Sequence, residues 1–157
     1  RIASDGTWFY LGTPIGRMPL VRLFSTVLRH DEDDRFYLVT PVEKIGITVD
    51  DAPFVAVAME VSGEGRDQVI SFRTNVGDEV SVDEEHPLRF ETEEGSGGLK
   101  PYALVRARLE ALVARAVYYD LVALAVHEKI DGEEKFGVWS AGRFFAMVPS
   151  SAVVEQQ

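Results

Sequence analysis

The sequence predicts an α+β protein made of two structurally related parts, each an antiparallel sheet packed against one main helix. Three observations carry that expectation. After Pro19, the residues Leu20, Val21, Leu23, Phe24, Val27 and Leu28 recur at helical spacing. From Pro53 to the glycine-rich run Gly95-Ser96-Gly97-Gly98 the chain reads only as strands and turns. The order hairpin, short arm ending in arginine, helix, hairpin is also read twice. Aligning Arg17 with Arg115 aligns Ile15 with Val113, Pro19 with Val117, Leu20 with Tyr118 and Leu23 with Leu121.

The first part, residues 1–51, opens on a turn at Ser4-Asp5-Gly6. A strand at 8–11 follows, then a second turn at Gly12-Thr13-Pro14. The helix begins at Pro19, where a missing N–H is no loss and φ is already helical. Arg29 and His30 would close it, since cations suit a helix C-terminus. At roughly 1.5–3 kcal/mol per large buried side chain, the stripe is what would hold so short a helix to a sheet. The charged loop from His30 to Arg35 lacks the alternating oxygen ligands and central glycine of a calcium loop. Strands at 36–40 and 42–49 complete this part.

Asp50-Asp51-Ala52-Pro53 marks the boundary to a larger, β-rich part at 52–149. Strands are expected at 53–61, 68–74, 79–82 and 88–91, with turns at 62–67 and 75–78 and a flexible loop at 93–98. A hairpin at 102–106 and 109–113 leads into a second helix over 116–127, carried by Val117, Tyr118, Leu121, Val122 and Ala125. A closing hairpin spans 136–140 and 143–148, and residues 150–157 read as a frayed tail.

Composition narrows the function classes. With 16 Lys and Arg against 26 Asp and Glu, the net charge is −10, and no basic run appears, which argues against a nucleic-acid partner. No apolar run has the length of a membrane span, no signal peptide opens the chain, and there are no cysteines for disulfides or thiol catalysis. The expected setting is the cytoplasm, and a homo-oligomer is compatible with the sequence. No cofactor motif is read. Gly63-Glu64-Gly65 fails the dinucleotide fingerprint at its last position and lies in a hairpin loop. Ser96 lacks the first glycine of a nucleophile elbow. His30, His86 and His127 are isolated from one another, so no metal set is read.

The residues left as binding candidates are Arg17, Glu43, Lys44, Thr74, Asn75, Asp78, Arg115, Tyr119 and Trp139. Arg17 and Arg115 each stand next to a helix start, where guanidinium and backbone donors converge on an anion; the structural alternative is that they bracket the junction of the two parts. Glu43 and Lys44 open a strand, as a binding edge or as a surface ion pair. Thr74, Asn75 and Asp78 lie in a polar turn that they could simply be making. Tyr119 and Trp139, with Trp8, Tyr10, Tyr37 and Tyr118, could line a cleft or fill a core.

The segments DGTWFYLGTPIGRMPLVRLFSTVL, RFYLVTPVEK, DDAPFVAV, FRTNVGDEV and GVWSAGRFF resemble the bacterial family catalogued as domain of unknown function 1285. The likeness runs in order over nearly the whole chain. It implies an α+β protein of two related parts joined near 51–53, a further segment before Arg1, and a role in signal transduction or ligand sensing. It implies no catalytic residue. The resulting expectation is a non-enzymatic binding module with its site at the junction, taking a small anionic ligand or a protein partner. The alternatives are a hydrolase using Glu43, Asp51 or Asp78 with a histidine, and a protein-interaction adaptor.

Overall fold

The fold, taken from a computed structural model, is described for residues 1–93 and 98–149. The expected frayed tail and most of the glycine-rich loop lie outside these residues. A short ribbon of β1 (Phe9–Tyr10) and β2 (Thr13–Pro14) leads into α1 (Met18–Ser25). An antiparallel meander of β3 (Leu28–His30), β4 (Phe36–Val39) and β5 (Lys44–Ile47) follows. Next come β6 (Phe54–Ser62), β7 (Val69–Thr74), β8 (Glu79–Ser81), β9 (Leu88–Thr92), β10 (Leu99–Arg106) and β11 (Leu109–Val113). They form one sheet in the order β8-β7-β6-β11-β10-β9. Among the described residues its one parallel pairing joins β11 to β6. Register shifts between Ala56 and Ala58 and between Leu104 and Arg106 bend two of its strands, and the sheet curls. After α2 (Arg115–Val122), a second meander of β12 (Val126–Ile130), β13 (Glu133–Ser140) and β14 (Arg143–Pro149) follows.

The expectation of two sheet-plus-helix repeats is therefore wrong. Among the described residues there are fourteen strands and two helices of eight residues each, so the protein is mostly β. The six-stranded sheet has no counterpart in the first 51 residues, whose opening ribbon has strands of two residues. Both helices also stop sooner than the apolar spacing implies. In α1 the Ser25 hydroxyl donates to the Arg22 carbonyl at 2.7 Å, and Thr26 donates to the Leu23 carbonyl at 2.6 Å. Side chains that occupy helix carbonyls in this way favour termination. Leu28, expected to end the helical stripe, instead begins β3. Val21 and Leu28 are buried, whereas Leu20 and Leu23 are exposed at 36% and 61%.

One contiguous core joins the two ends of the chain: Ile2, Trp8 and Val21 pack with Phe54, Phe72, Val113, Leu121 and Val138. Trp8 stacks on Phe24 with ring centroids 6.4 Å apart, and its buried Nε1 has no hydrogen-bond partner among the described residues. The second meander is stitched to the large sheet by Ser140. Its fully buried hydroxyl accepts from Ile70 N at 2.9 Å and donates to the Val82 carbonyl at 2.7 Å. Gly137 admits no side chain, because a Cβ there would run into the Phe145 carbonyl oxygen. Among the described residues no helix is long and apolar enough to cross a membrane.

Asn75 closes the junction. Its backbone N–H donates to the Val55 carbonyl at 2.9 Å, and its Oδ1 accepts from Val55 N at 3.0 Å. Its Nδ2 donates to the Gly6 carbonyl at 3.2 Å. Gly6 has φ +90°, and a Cβ there would stand 2.6 Å from Asn75 Nδ2, so the contact needs glycine for both conformation and space. Asn75→Ala leaves the Val55 N–H and the Gly6 carbonyl without these partners. It should cost about 1–3 kcal/mol of unfolding free energy. Chemical denaturation measures this, and an unchanged midpoint would contradict the assignment.

Candidate functional site

The parallel pairing of β11 with β6 decides where one broad cleft lies. β11 runs beside Phe54, Val55 and Ala56, and the Ala114 N–H continues the pairing by donating to the Ala56 carbonyl at 3.0 Å. α2 therefore starts at Arg115, just past the stretch of β11 that pairs with β6. Val117 and Leu121 bury one face of α2, which leaves Tyr118 half-buried and Tyr119 largely exposed. The Asn75 clamp brings the Ser4-Asp5 turn to the same place. The result is a cleft of about 590 Å³ between that turn, the β10–β11 hairpin and the start of α2. That volume is in the range of small-molecule sites.

Val55, Leu99, Pro101 and Leu112 supply its apolar surface, and Tyr118 and Tyr119 its aromatic one. The two rings meet edge to face at 5.8 Å. Arg115 Nε donates to the Tyr119 hydroxyl at 3.3 Å, and that bond holds the guanidinium above its ordinary pKa. Lys100, Asp5 and Glu93 bring the remaining charges. Asp5 Oδ1 accepts from the Thr7 backbone N–H at 2.9 Å, which lowers the carboxyl below its usual range and keeps it ionised.

Of the nine sequence candidates, the structure brings Arg115 and Tyr119 together in this cleft. Arg17 is the exposed residue that precedes α1 and does not line it. Glu43 is exposed in the β4–β5 turn, where its N–H donates to Thr40 Oγ1. Lys44 pairs with Asp31 at 2.6 Å and lies over the Tyr37 ring, so it is engaged as an ion pair within the first meander. Thr74, Asn75 and Asp78 belong together in the turn they build: Thr74 Oγ1 accepts from Asp78 N at 3.1 Å, and Asp78 pairs with Arg106 at 3.5 Å. Arg106 Nη2 in turn donates to the Ser25 carbonyl of α1. Trp139 lies on the second meander, where its Nε1 donates to Glu128 and the Arg66 guanidinium covers its ring.

Sequence reading missed Lys100, Asp5 and Glu93, which carry no periodic or motif signal. It also missed a polar cluster beside the cleft. Tyr102 is 3% exposed, and its hydroxyl donates to Asp51 Oδ1 at 2.7 Å, while Lys100 Nζ holds Asp51 Oδ2 at 2.5 Å. Arg89 lies over the Tyr102 ring and grips Glu110 through two bonds of 3.0 and 2.8 Å, with Glu91 on its remaining side. Among the described residues no group of three or more histidines and carboxylates is placed to hold a metal ion.

Comparison with known proteins adds the family. The profile described as "Domain of unknown function (DUF1285), N-terminal domain" matches residues 1–52. "Protein of unknown function (DUF1285), C-terminal domain" matches residues 53–147. The chain belongs to the DUF1285 family. A crystal structure of a DUF1285 family protein from Silicibacter pomeroyi DSS-3 is similar at 52% identity and a TM-score of 0.90, over 98% of this chain and 81% of that one. A second DUF1285 family protein, from Shewanella baltica OS155, is 28% identical with a TM-score of 0.61, over 78% of this chain and 88% of that one. No curated protein matches. The cleft straddles the two DUF1285 domains, taking Ser4 and Asp5 from the first and its other walls from the second.

The Asp51 cluster gives the fold an alkaline limit. Burial pushes the Tyr102 phenol up to about 12 from its ordinary 10, and the Asp51 carboxylate adds to the rise. The hydrogen bond to Asp51 likewise raises Lys100. Groups that hold a proton more tightly when folded stabilise the fold fully below the unfolded pKa and lose that contribution as pH rises through the folded one. Stability should therefore fall between pH 10 and 12, and Tyr102→Phe should flatten that fall. Denaturation midpoints across this window measure it, and identical slopes for the two proteins would refute it.

Proposed function

We propose that this DUF1285 protein is a non-enzymatic binding module of the bacterial cytoplasm with a role in signal transduction. Its ligand is a small molecule carrying an anionic group, held in the cleft between the Ser4-Asp5 turn and the start of α2. One observation carries the reading. The cleft spans both family domains and sets the Arg115 guanidinium, with the Tyr119 hydroxyl 3.3 Å away, against an apolar and aromatic surface. Arg115 is the first residue of α2, and its guanidinium lies along the helix beside the Tyr119 hydroxyl one turn on.

Binding is favoured over hydrolysis by where the carboxylates have gone. Asp51 is committed to Lys100 and Tyr102, and Asp78 to Arg106. Each is a structural partner with little freedom to act as a base. A second reading, the protein-interaction adaptor, is favoured by the apolar residues Leu11, Met18, Leu20 and Leu23, all exposed around the β1–β2 turn and α1. Sedimentation velocity separates the two readings, since an adaptor of this kind associates whether or not Arg115 is present.

The binding reading is tested by a thermal-shift screen of small carboxylates and phosphates, followed by titration of the hit. Arg115→Ala should weaken the hit by roughly tenfold to a hundredfold, as expected for a lost charge-assisted hydrogen bond. Arg17→Ala, remote from the cleft, should leave it unchanged. Equal affinity for Arg115→Ala and the parent protein would remove the site.

A further inference from the structure

We infer that the ligand is a zwitterion, an ammonium and a carboxylate on one apolar or aromatic body, as in an α-amino acid with a large side chain. The inference rests on the binding reading above and sharpens it. The evidence is the sign of the charges around the cleft. Lys100 is already neutralised by Asp51 at 2.5 Å, so among the described residues that line the cleft Arg115 is the cation without a carboxylate bonded to it. Two carboxylates, Asp5 and Glu93, line the same space. Glu93 is near enough to contribute to the raised pKa of Arg115.

A ligand with only an anionic group would satisfy Arg115 and leave its charge facing two carboxylates. One with only a cationic group would do the reverse. A zwitterion answers both signs at once, and like-charge juxtaposition rejects its singly charged analogues. Asp5 suits the part of ammonium acceptor. Its Oδ1 is fixed by the Thr7 N–H at 2.9 Å, and the Thr7 side chain also bonds the carboxylate, so the group is oriented before a ligand arrives. The body of the ligand would lie on Val55, Leu112 and the Tyr118–Tyr119 pair.

Three probes share one aromatic body and differ only in charge: L-phenylalanine, 3-phenylpropionate and phenethylamine. Isothermal titration of the full chain should show L-phenylalanine binding at least about tenfold more tightly than either analogue. Asp5→Asn retains an oxygen for the Thr7 N–H, so the turn is preserved. In that variant, and in Glu93→Gln, the advantage of L-phenylalanine over 3-phenylpropionate should shrink. Arg115→Gln should shrink its advantage over phenethylamine. If 3-phenylpropionate binds as tightly as L-phenylalanine, the zwitterion inference falls while the anionic reading stands. If phenethylamine binds tightest and Arg115→Gln has no effect, both fall. If none of the three binds, the inference is overturned, and the anionic reading is decided by the wider screen of carboxylates and phosphates.

Discussion

The three hydrogen bonds of Asn75 are the constraint on which the rest of this structure depends. They tie together positions far apart in the chain: Gly6 in the N-terminal turn, Val55 at the start of the central strand, and the β7–β8 turn itself. A side-chain amide with both its oxygen and its nitrogen engaged fixes two partners at once, and losing it would strand both. Gly6 is the matching half of the contact, because its left-handed backbone and missing Cβ let the amide approach. The same bonds set the Ser4-Asp5 turn opposite Arg115. One polar contact therefore serves both the fold and the candidate site.

The charge of the chain is arranged so that most cations have a structural task. Arg89 holds Glu110 and Glu91, Lys100 holds Asp51, Arg106 links Asp78 to α1, and Lys44 holds Asp31. In a protein of net charge −10, a guanidinium set against a tyrosine hydroxyl in a cleft stands out from that pattern. Exposed pairs of this sort contribute little to stability, so the difference bears on recognition more than on folding. A cleft with both signs of charge over an apolar surface recognises a ligand by the placement of its charges, not by its net charge.

Much of the β structure was legible because its strands alternate. Residues 36–40, 53–61, 68–74 and 109–113 were expected as strands and are observed within a residue or two of those limits. β12 was hidden because Val122 and Ala125 extend the helical spacing of Leu121 up to the point where Val126 turns into an exposed strand. The repeat misled for a related reason. Local patterns near the two helices look alike, but the large sheet and its parallel β11–β6 pairing are set by contacts across more than fifty residues of chain, which no local period records. Arg115 was singled out for its place before a helix and Tyr119 as an aromatic, and both line the cleft. Asp5, Glu93 and Lys100 were not singled out, since each becomes part of the cleft only through the fold.

The central claim is that the wall built by the Asn75 clamp and the start of α2 together form one ligand site. Amide chemical-shift mapping by NMR during titration with L-phenylalanine tests it most directly. Shifts concentrated at Ser4, Asp5, Gly6, Lys100 and Ala114 to Tyr119 would agree with the account. Shifts confined to the exposed face of α1 and the β1–β2 turn would contradict it, whereas no shifts at all would overturn the zwitterionic ligand alone.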